Sequence, residues 1–257
     1  MLKPVFPTKK HKEVANLIAD HFYSITAIDT VLVVNSCARG QAVPESDIDF
    51  AILVKPGVSH SEIQYIEEQW KLYSLSSPLL IKYRQANRFA QLHLDIFNGS
   101  FISGEIEDGG VPDHFELEIG NRICYAAPMY NEGPFFKTLQ HIWLPYYDEQ
   151  LRLRRLKKIK GTCEYDLEHI PFFIRRKLYF HAFDVLYKAF QKYLQVLFIA
   201  NKSYPIAYNK WIKEQIVFRL GKPELYPKLV SILSIPDIAG EDIYERTSAL
   251  RSLLDDL

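Results

Sequence analysis

Apolar residues recur at both strand and helical spacing in the first part of this chain, and at helical spacing alone in the second part. In the first part, apolar residues recur at helical spacing in two segments, residues 11–23 and 59–73. Short apolar or alternating runs predict four strands, at residues 31–34, 50–54, 78–83 and 91–97. Beyond Pro134 the spacing predicts helices at residues 172–201, 208–220, 224–233 and 240–254. The pattern therefore predicts an α+β part followed by an α-helical bundle.

Glycine and proline residues are concentrated between residues 98 and 133, where neither period continues. This composition predicts loops and a crossing between domains. We therefore expect one domain over residues 1–133 and a helical domain over residues 134–257. Within the crossing, the alternation from His114 to Ile119 fits either a short edge strand or the start of a helix.

Composition narrows the class of protein. The 257 residues carry 31 basic and 31 acidic side chains, so no overall positive field attracts nucleic acid, and small substrates are favoured. No charge-free apolar run reaches the roughly 18 residues of a membrane span, and the first 20 residues lack the apolar centre of a signal peptide. We expect a cytoplasmic protein that does not bind a membrane. The three cysteines are unclustered, which indicates neither disulfides nor a zinc site, and Cys37 is expected to be a packing residue.

Two aspartates, Asp47 and Asp49, stand one residue apart at the start of the second predicted strand. Successive side chains of a strand point to opposite faces, so both carboxylates lie on one face while Ile48 and Phe50 enter the core. Two carboxylates on one face can share divalent cations, and oxygen ligands are those that Mg²⁺ prefers. Taken alone, Ser-Asp-Ile-Asp also fits an ordinary turn at the start of a strand, so the residues before it carry the argument.

The segment from Asn35 to Asp49 begins Asn-Ser, continues with Ala-Arg-Gly and ends in Ser-Asp-Ile-Asp before an apolar strand. In motif and spacing it resembles the nucleotidyltransferase superfamily, and in particular small-molecule enzymes of the aminoglycoside and lincosamide type. The resemblance implies a polymerase-β-like mixed sheet with flanking helices, followed by a helical domain that binds the acceptor. It departs from the family at Asn35, where glycine is usual, but asparagine is one of the few residues that tolerate a left-handed backbone.

The resemblance also implies site residues. Asp47, Asp49 and Asp95 are the expected carboxylates for two Mg²⁺ ions, with Asp95 as the general base or as a metal ligand only. Glu116 and Glu118 are reserve candidates for the base, although both also fit a solvated strand.

Three further residues are expected to contact the nucleotide. Ser36 is assigned to the triphosphate, and Arg39 either contacts phosphate or braces the loop through internal pairing. Lys210, in the helical part, is a predicted phosphate contact, although a lysine on a helix surface fits the pattern better.

The function implied is metal-dependent transfer of a nucleoside monophosphate, with AMP from ATP expected, to a hydroxyl of a small polar acceptor, which releases pyrophosphate. An aminoglycoside-like or lincosamide-like acceptor would make this an antibiotic-resistance enzyme, an inference by analogy of fold. A cationic acceptor would suit acidic residues near the domain junction, which also fit a charged helix surface: Asp148, Glu149, Glu164, Asp166 and Glu168. No oligomeric state is assigned.

Other functions stay open. One is an antitoxin-like adenylyltransferase that modifies a partner protein, and another is a nucleotide-binding regulator whose catalytic site has decayed. Arg176 and His181 have the Arg-x4-His spacing that resembles the active motif of HEPN ribonucleases. The same residues fit a core helix on which His181 is buried.

Overall fold

The computed structural model describes residues 2–86, 91–105 and 107–257. The described chain forms two compact units. The first contains the residues up to Phe101 together with Glu118–Pro145, and the second contains Ile102–Leu117 together with Tyr146–Leu257. The boundary predicted after residue 133 falls within the first unit, because residues 134–145 group with the sheet.

A mixed sheet is the centre of the first unit. Its strands in the described residues are β1 (Ile28–Val33), β2 (Ile48–Val54), β3 (Leu92–Phe97) and β4 (Ala127–Pro128), in the order β3-β2-β1-β4. Strand β2 runs antiparallel to β1 and parallel to β3, and β4 runs antiparallel to β1. The predicted mixed sheet with flanking helices and a helical C-terminal region is confirmed.

The helices that precede, connect and follow these strands are α1 (Lys9–Tyr23), α2 (Asn35–Arg39), α3 (His60–Ser76), α4 (Pro78–Ala86), α5 (Phe115–Ile119), a π-helical turn (Gly120–Cys124) and α6 (Pro134–Trp143). The core of the first unit forms where Ile48, Phe50 and Ile52 of β2 pack with the apolar residues of α1. Helix α3 begins as predicted, because Ser59 accepts a hydrogen bond from the backbone N–H of Glu62.

The strand predicted over residues 78–83 is wrong, since this segment is the helix α4. Pro78 stands at the first helical position, where its missing N–H costs nothing. Leu80 and Tyr83, three residues apart, are both buried on one helix face. A short apolar run of this kind is ambiguous by periodicity alone. The alternation over His114–Ile119 likewise resolves to a helix, α5.

Asp29, a buried carboxylate on β1, fixes the start of α6. Its two oxygens accept hydrogen bonds from the backbone N–H groups of Phe135 and Phe136, at 3.1 and 3.0 Å. These are N–H groups that a helix leaves without internal partners in its first turn. A neighbouring bond runs from the N–H of Gly133 to the hydroxyl of Thr30 at 2.9 Å. A Cβ atom on Gly133 would come closer than 3.0 Å to Asp29, so the turn requires glycine for its size.

The second unit is a helical bundle, formed by α7 (Glu149–Arg175), α8 (Tyr179–Ala200), a π-helical segment (Glu214–Arg219), α9 (Leu225–Ile232) and α10 (Asp242–Asp255). Its core is apolar, with Ile159, Leu186, Leu194 and Leu250 inaccessible to solvent. The single helix predicted over residues 172–201 is divided, because the chain turns between Arg175 and Tyr179 with Lys177 at a φ of 59°.

Among the described residues, no helix combines the length and the apolar character that crossing a membrane requires.

We predict that Asp29→Ala lowers the free energy of unfolding by about 1–3 kcal/mol, because it leaves two backbone N–H groups of α6 without their acceptor. Urea denaturation followed by circular dichroism measures the change. Glu13→Ala, on the exposed side of α1, is the control and should shift stability by less than about 0.5 kcal/mol. Equal effects of the two substitutions would contradict the capping role of Asp29.

Candidate functional site

The loop after β1 contains two residues in a left-handed conformation. Asn35 has a φ of 56° and Gly40 a φ of 70°, so both adopt the left-handed conformation. Asparagine therefore replaces the glycine usual at this position without loss of the turn. Between them, Ser36 lies buried in α2 and is 8% exposed.

Asp47 and Asp49 meet His93 on one face of the sheet. Asp49 pairs with His93 across the parallel strands β2 and β3. The Nε2 atom of His93 lies 3.4 Å from Oδ2 of Asp47, and one ligand atom from each of the three residues lies within 4.8 Å of the others. Ile48 and Phe50, on the opposite face, are 0% and 2% exposed, in accord with the alternation of a strand.

The buried side chain of His11 holds the turn immediately before Asp47. Its Nε2 atom is 3.1 Å from the carbonyl oxygen of Ser46, and its Nδ1 atom is 2.7 Å from the hydroxyl of Thr8. A carbonyl oxygen can only accept, so Nε2 donates to Ser46, and in the neutral imidazole Nδ1 then accepts from the hydroxyl of Thr8. Sequence reasoning missed this residue, because a histidine on the apolar face of a helix gives no signal of its distant partner.

Asp95 lies on the same side of β3 as His93, but two residues further along and opposite Ala51 of β2. It is not among the described residues that cluster with Asp47 and Asp49. Its carboxylate is 3.7 Å from the guanidinium of Arg122, which lies over the ring of Phe97 at 5.1 Å. The metal or base role of Asp95 therefore stays a prediction, made for a carboxylate that is 76% exposed and contacts Arg122.

The predicted nucleotide contacts differ in exposure. Both terminal nitrogens of Arg39 are buried, which favours the role of bracing the loop over that of contacting phosphate. Lys210 is an exposed residue of the second unit, and its backbone carbonyl accepts a hydrogen bond from Gln215 at 3.1 Å. Its predicted contact with phosphate stays a prediction, as does that of Ser36.

Glu116 belongs to a buried polar network within the second unit. Its carboxylate is 0% exposed and accepts hydrogen bonds from Arg155 at 2.7 Å, from Gln195 at 2.8 Å and from the hydroxyl of Tyr147 at 2.8 Å. Arg155 also donates to Asp113 at 2.6 Å. Burial and the negative charge of Glu116 raise the pKa of Tyr147. Glu116 is therefore neither a solvated residue nor a free base, whereas Glu118 is half-buried in the first unit.

The acidic residues proposed for a cationic acceptor have internal partners in most cases. Asp148 caps α7, Glu149 binds Arg152 and Lys202, Asp166 is buried against Lys192 at 2.8 Å, and Glu168 binds Arg251. Arg152, followed by Lys202, lowers the pKa of Glu149 to about 2. These contacts fit the alternative interpretation, a set of structural ion pairs.

Arg176 and His181 do not share a helix, since Arg176 follows the end of α7 and His181 lies in α8. Arg176 lies over the ring of Phe172 at 5.2 Å. His181 is exposed and packs edge-on against Phe173 at 4.3 Å, so the expected burial of His181 is wrong.

We predict that Glu116→Gln lowers the free energy of unfolding by about 3–5 kcal/mol, because it removes one charge from a buried network and presents an amide donor to other donors. The neighbouring substitution Glu118→Gln is the matched control, with an expected change below about 0.5 kcal/mol. Thermal and urea unfolding measure both variants. A Glu116→Gln protein as stable as the control would show that the network contributes little.

We predict that Cys37 and Cys163 resist alkylation in the folded protein at pH 8, because burial raises the pKa of each thiol to about 12 and the thiolate is the reactive form. The charges of Asp49 and Asp47 add to the effect at Cys37. The half-buried Cys124 should react first, and all three cysteines should react in denaturant. Peptide mapping by mass spectrometry reads the pattern, and rapid native labelling of Cys37 would contradict it.

Comparison with known proteins bears on the segment that carries the aspartates. Residues 17–96 match the family model described as "Nucleotidyltransferase domain". Among solved structures, a nucleotidyltransferase-like protein from Exiguobacterium sibiricum 255-15 aligns with a TM-score of 0.43 and 10% identity, over 95% of this chain and 74% of that one. No curated protein matches the chain. Residues 17–96, which include Asp47, Asp49 and His93, are thus similar to a nucleotidyltransferase domain.

Proposed function

We propose that this protein transfers a nucleoside monophosphate, AMP from ATP, to a hydroxyl of a small polar acceptor and releases pyrophosphate. The observation that carries the proposal is the convergence of Asp47 and Asp49 on one face of β2, within the segment that matches the nucleotidyltransferase domain. The left-handed φ of Asn35 supports it, because glycine, which is usual at this position, can adopt the same conformation.

The donor set fits a divalent cation. The ligand atoms of Asp47, Asp49 and His93 lie within 4.8 Å of one another, so side-chain movements could bring them around one divalent cation. Asp47 and Asp49 would hold the cation, for which the resemblance implies Mg²⁺. Such a cation, when bound, neutralises the charge that develops on the phosphate and attacking oxygens.

Within this proposal, Asp95 is the general base. An oxygen of its carboxylate accepts the proton of the acceptor hydroxyl as that hydroxyl attacks the α-phosphorus and pyrophosphate leaves. Its exposure of 76% leaves room for an acceptor, and its contact with Arg122 orients it. Ser36 donates its hydroxyl to a phosphate oxygen, while Arg39 braces the loop.

The helical unit is proposed to bind the acceptor, and Lys210 to contact phosphate. Acceptors of the aminoglycoside or lincosamide type are the first to test, with antibiotic resistance as the resulting property. The alternative of a decayed regulator rests on Asn35 in place of glycine, and the φ of 56° at Asn35, a conformation that glycine also adopts, counts against it.

We predict that the purified full chain releases pyrophosphate from ATP in the presence of Mg²⁺ and one member of a panel of hydroxylated antibiotics. Asp49→Asn should lower the rate by about 100-fold or more, since loss of a carboxylate ligand removes several kcal/mol of transition-state stabilisation. Coupled pyrophosphate detection and mass analysis of the product measure both.

Asp184→Asn, an exposed aspartate that pairs with Lys188 on α8, is the matched control and should retain full activity. Circular dichroism verifies that each variant is folded. Turnover unaffected by Asp49→Asn would contradict the assignment of this carboxylate. ATP binding without turnover on any acceptor would instead favour a nucleotide-binding regulator, and transfer of AMP to a protein would favour the antitoxin-like function.

A further inference from the structure

His93 occupies the position beside the aspartate pair that sequence reasoning gave to a third carboxylate. The register of β2 and β3 sets His93, and not Asp95, directly opposite Asp49. The Nε2 atom of His93 is 3.4 Å from Asp47, and its side chain is 57% exposed, so it reaches this contact from the sheet surface without being forced there by core packing.

Asp95 is separately engaged. It faces Ala51 across the strands and contacts Arg122, whose guanidinium also lies over Phe97. The three groups whose ligand atoms come together therefore form a mixed set of two carboxylates and one imidazole.

We propose that His93 is a nitrogen ligand of the cation site formed by Asp47 and Asp49. The proposal rests on the proposed function, because it concerns the same site. It follows that the site binds late first-row divalent cations such as Co²⁺ more tightly than Mg²⁺, and that the imidazole increases this selectivity.

The physical reason lies in ligand preference. Mg²⁺ takes oxygen ligands, keeps several of its waters and gains little from an imidazole. Imidazole nitrogen suits the later transition metals, whose affinities rise along the first-row series toward copper. A site of carboxylates alone also follows this series, so the distinguishing property is that the difference between Co²⁺ and Mg²⁺ depends on His93.

Titration calorimetry of the full chain with Co²⁺ and, separately, with Mg²⁺ tests the proposal, together with the visible absorption spectrum of the Co²⁺ complex. We expect His93→Asn to weaken Co²⁺ binding about tenfold or more and to shift the Co²⁺ absorption band. Mg²⁺ affinity should change by less than about threefold, because Mg²⁺ does not depend on the nitrogen. His60→Asn, an exposed histidine at the start of α3, is the control and should change neither cation's affinity.

An unchanged Co²⁺ affinity in His93→Asn would overturn the proposal, and so would equal losses for both cations or an absence of Co²⁺ binding by the unaltered protein. The proposed function fails independently. If Co²⁺ binding depends on His93 but no acceptor receives AMP, the ligand assignment stands and the transferase proposal falls. If Asp49→Asn abolishes transfer while His93→Asn leaves metal binding intact, the transferase proposal stands and the ligand assignment falls.

Discussion

The parallel pairing of β2 with β3 is the constraint on which the site depends. Hydrogen bonds between these strands fix which residue of β3 stands beside each residue of β2, and they bring His93 to Asp49. Each side chain then reaches the site because the strand period sends alternate residues to one face while the others fill the core. A register shifted by two residues would keep each side chain of β3 on its present face and bring Asp95 to Asp49 instead. The chemistry of the site is therefore decided by backbone pairing as much as by the residues of the motif.

In the second unit, charged side chains form a structural network. Arg155 is 4% exposed and bonds to both the partly buried Asp113 and the buried Glu116, so two carboxylates share one guanidinium, and Gln195 completes the arrangement. Charges taken out of water are costly unless their hydrogen bonds are satisfied, which makes such a network specific in geometry even where it adds little stability. It ties Asp113 and Glu116, which lie just before and within α5, to α7 and α8. Acidic residues that resemble catalytic candidates in sequence are in this case structural.

The sequence predicts the fold class and the aspartate face well, because both depend on local period and on a spaced motif. Residues 50–54 form a short apolar run, residues 92–97 have strand alternation, and α1 and α3 have helical spacing. The predictions fail where contacts between residues far apart in the sequence determine the structure. Residues 78–83 are apolar enough for a strand, yet proline at the first turn and burial of Leu80 with Tyr83 make them helical.

Alternation gives the face of His93 and Asp95, but it carries no information on register, so the neighbour of Asp49 was not predictable. Ser46, which contacts His11, and Arg155, which contacts Glu116, lie 35 and 39 residues away, respectively, beyond the reach of any local pattern.

Gly133 has a backbone conformation, φ −67° and ψ 161°, that any amino acid adopts readily. Its requirement for glycine is purely a matter of volume, since the carboxylate and carbonyl of Asp29 occupy the space of a side chain. Conformational preference alone would therefore rate this site as tolerant, and a designer guided by torsion angles would place alanine or serine there. A saturation mutagenesis scan would instead find that this position tolerates no other amino acid. The cause would lie in Asp29 on β1, and not in the turn itself.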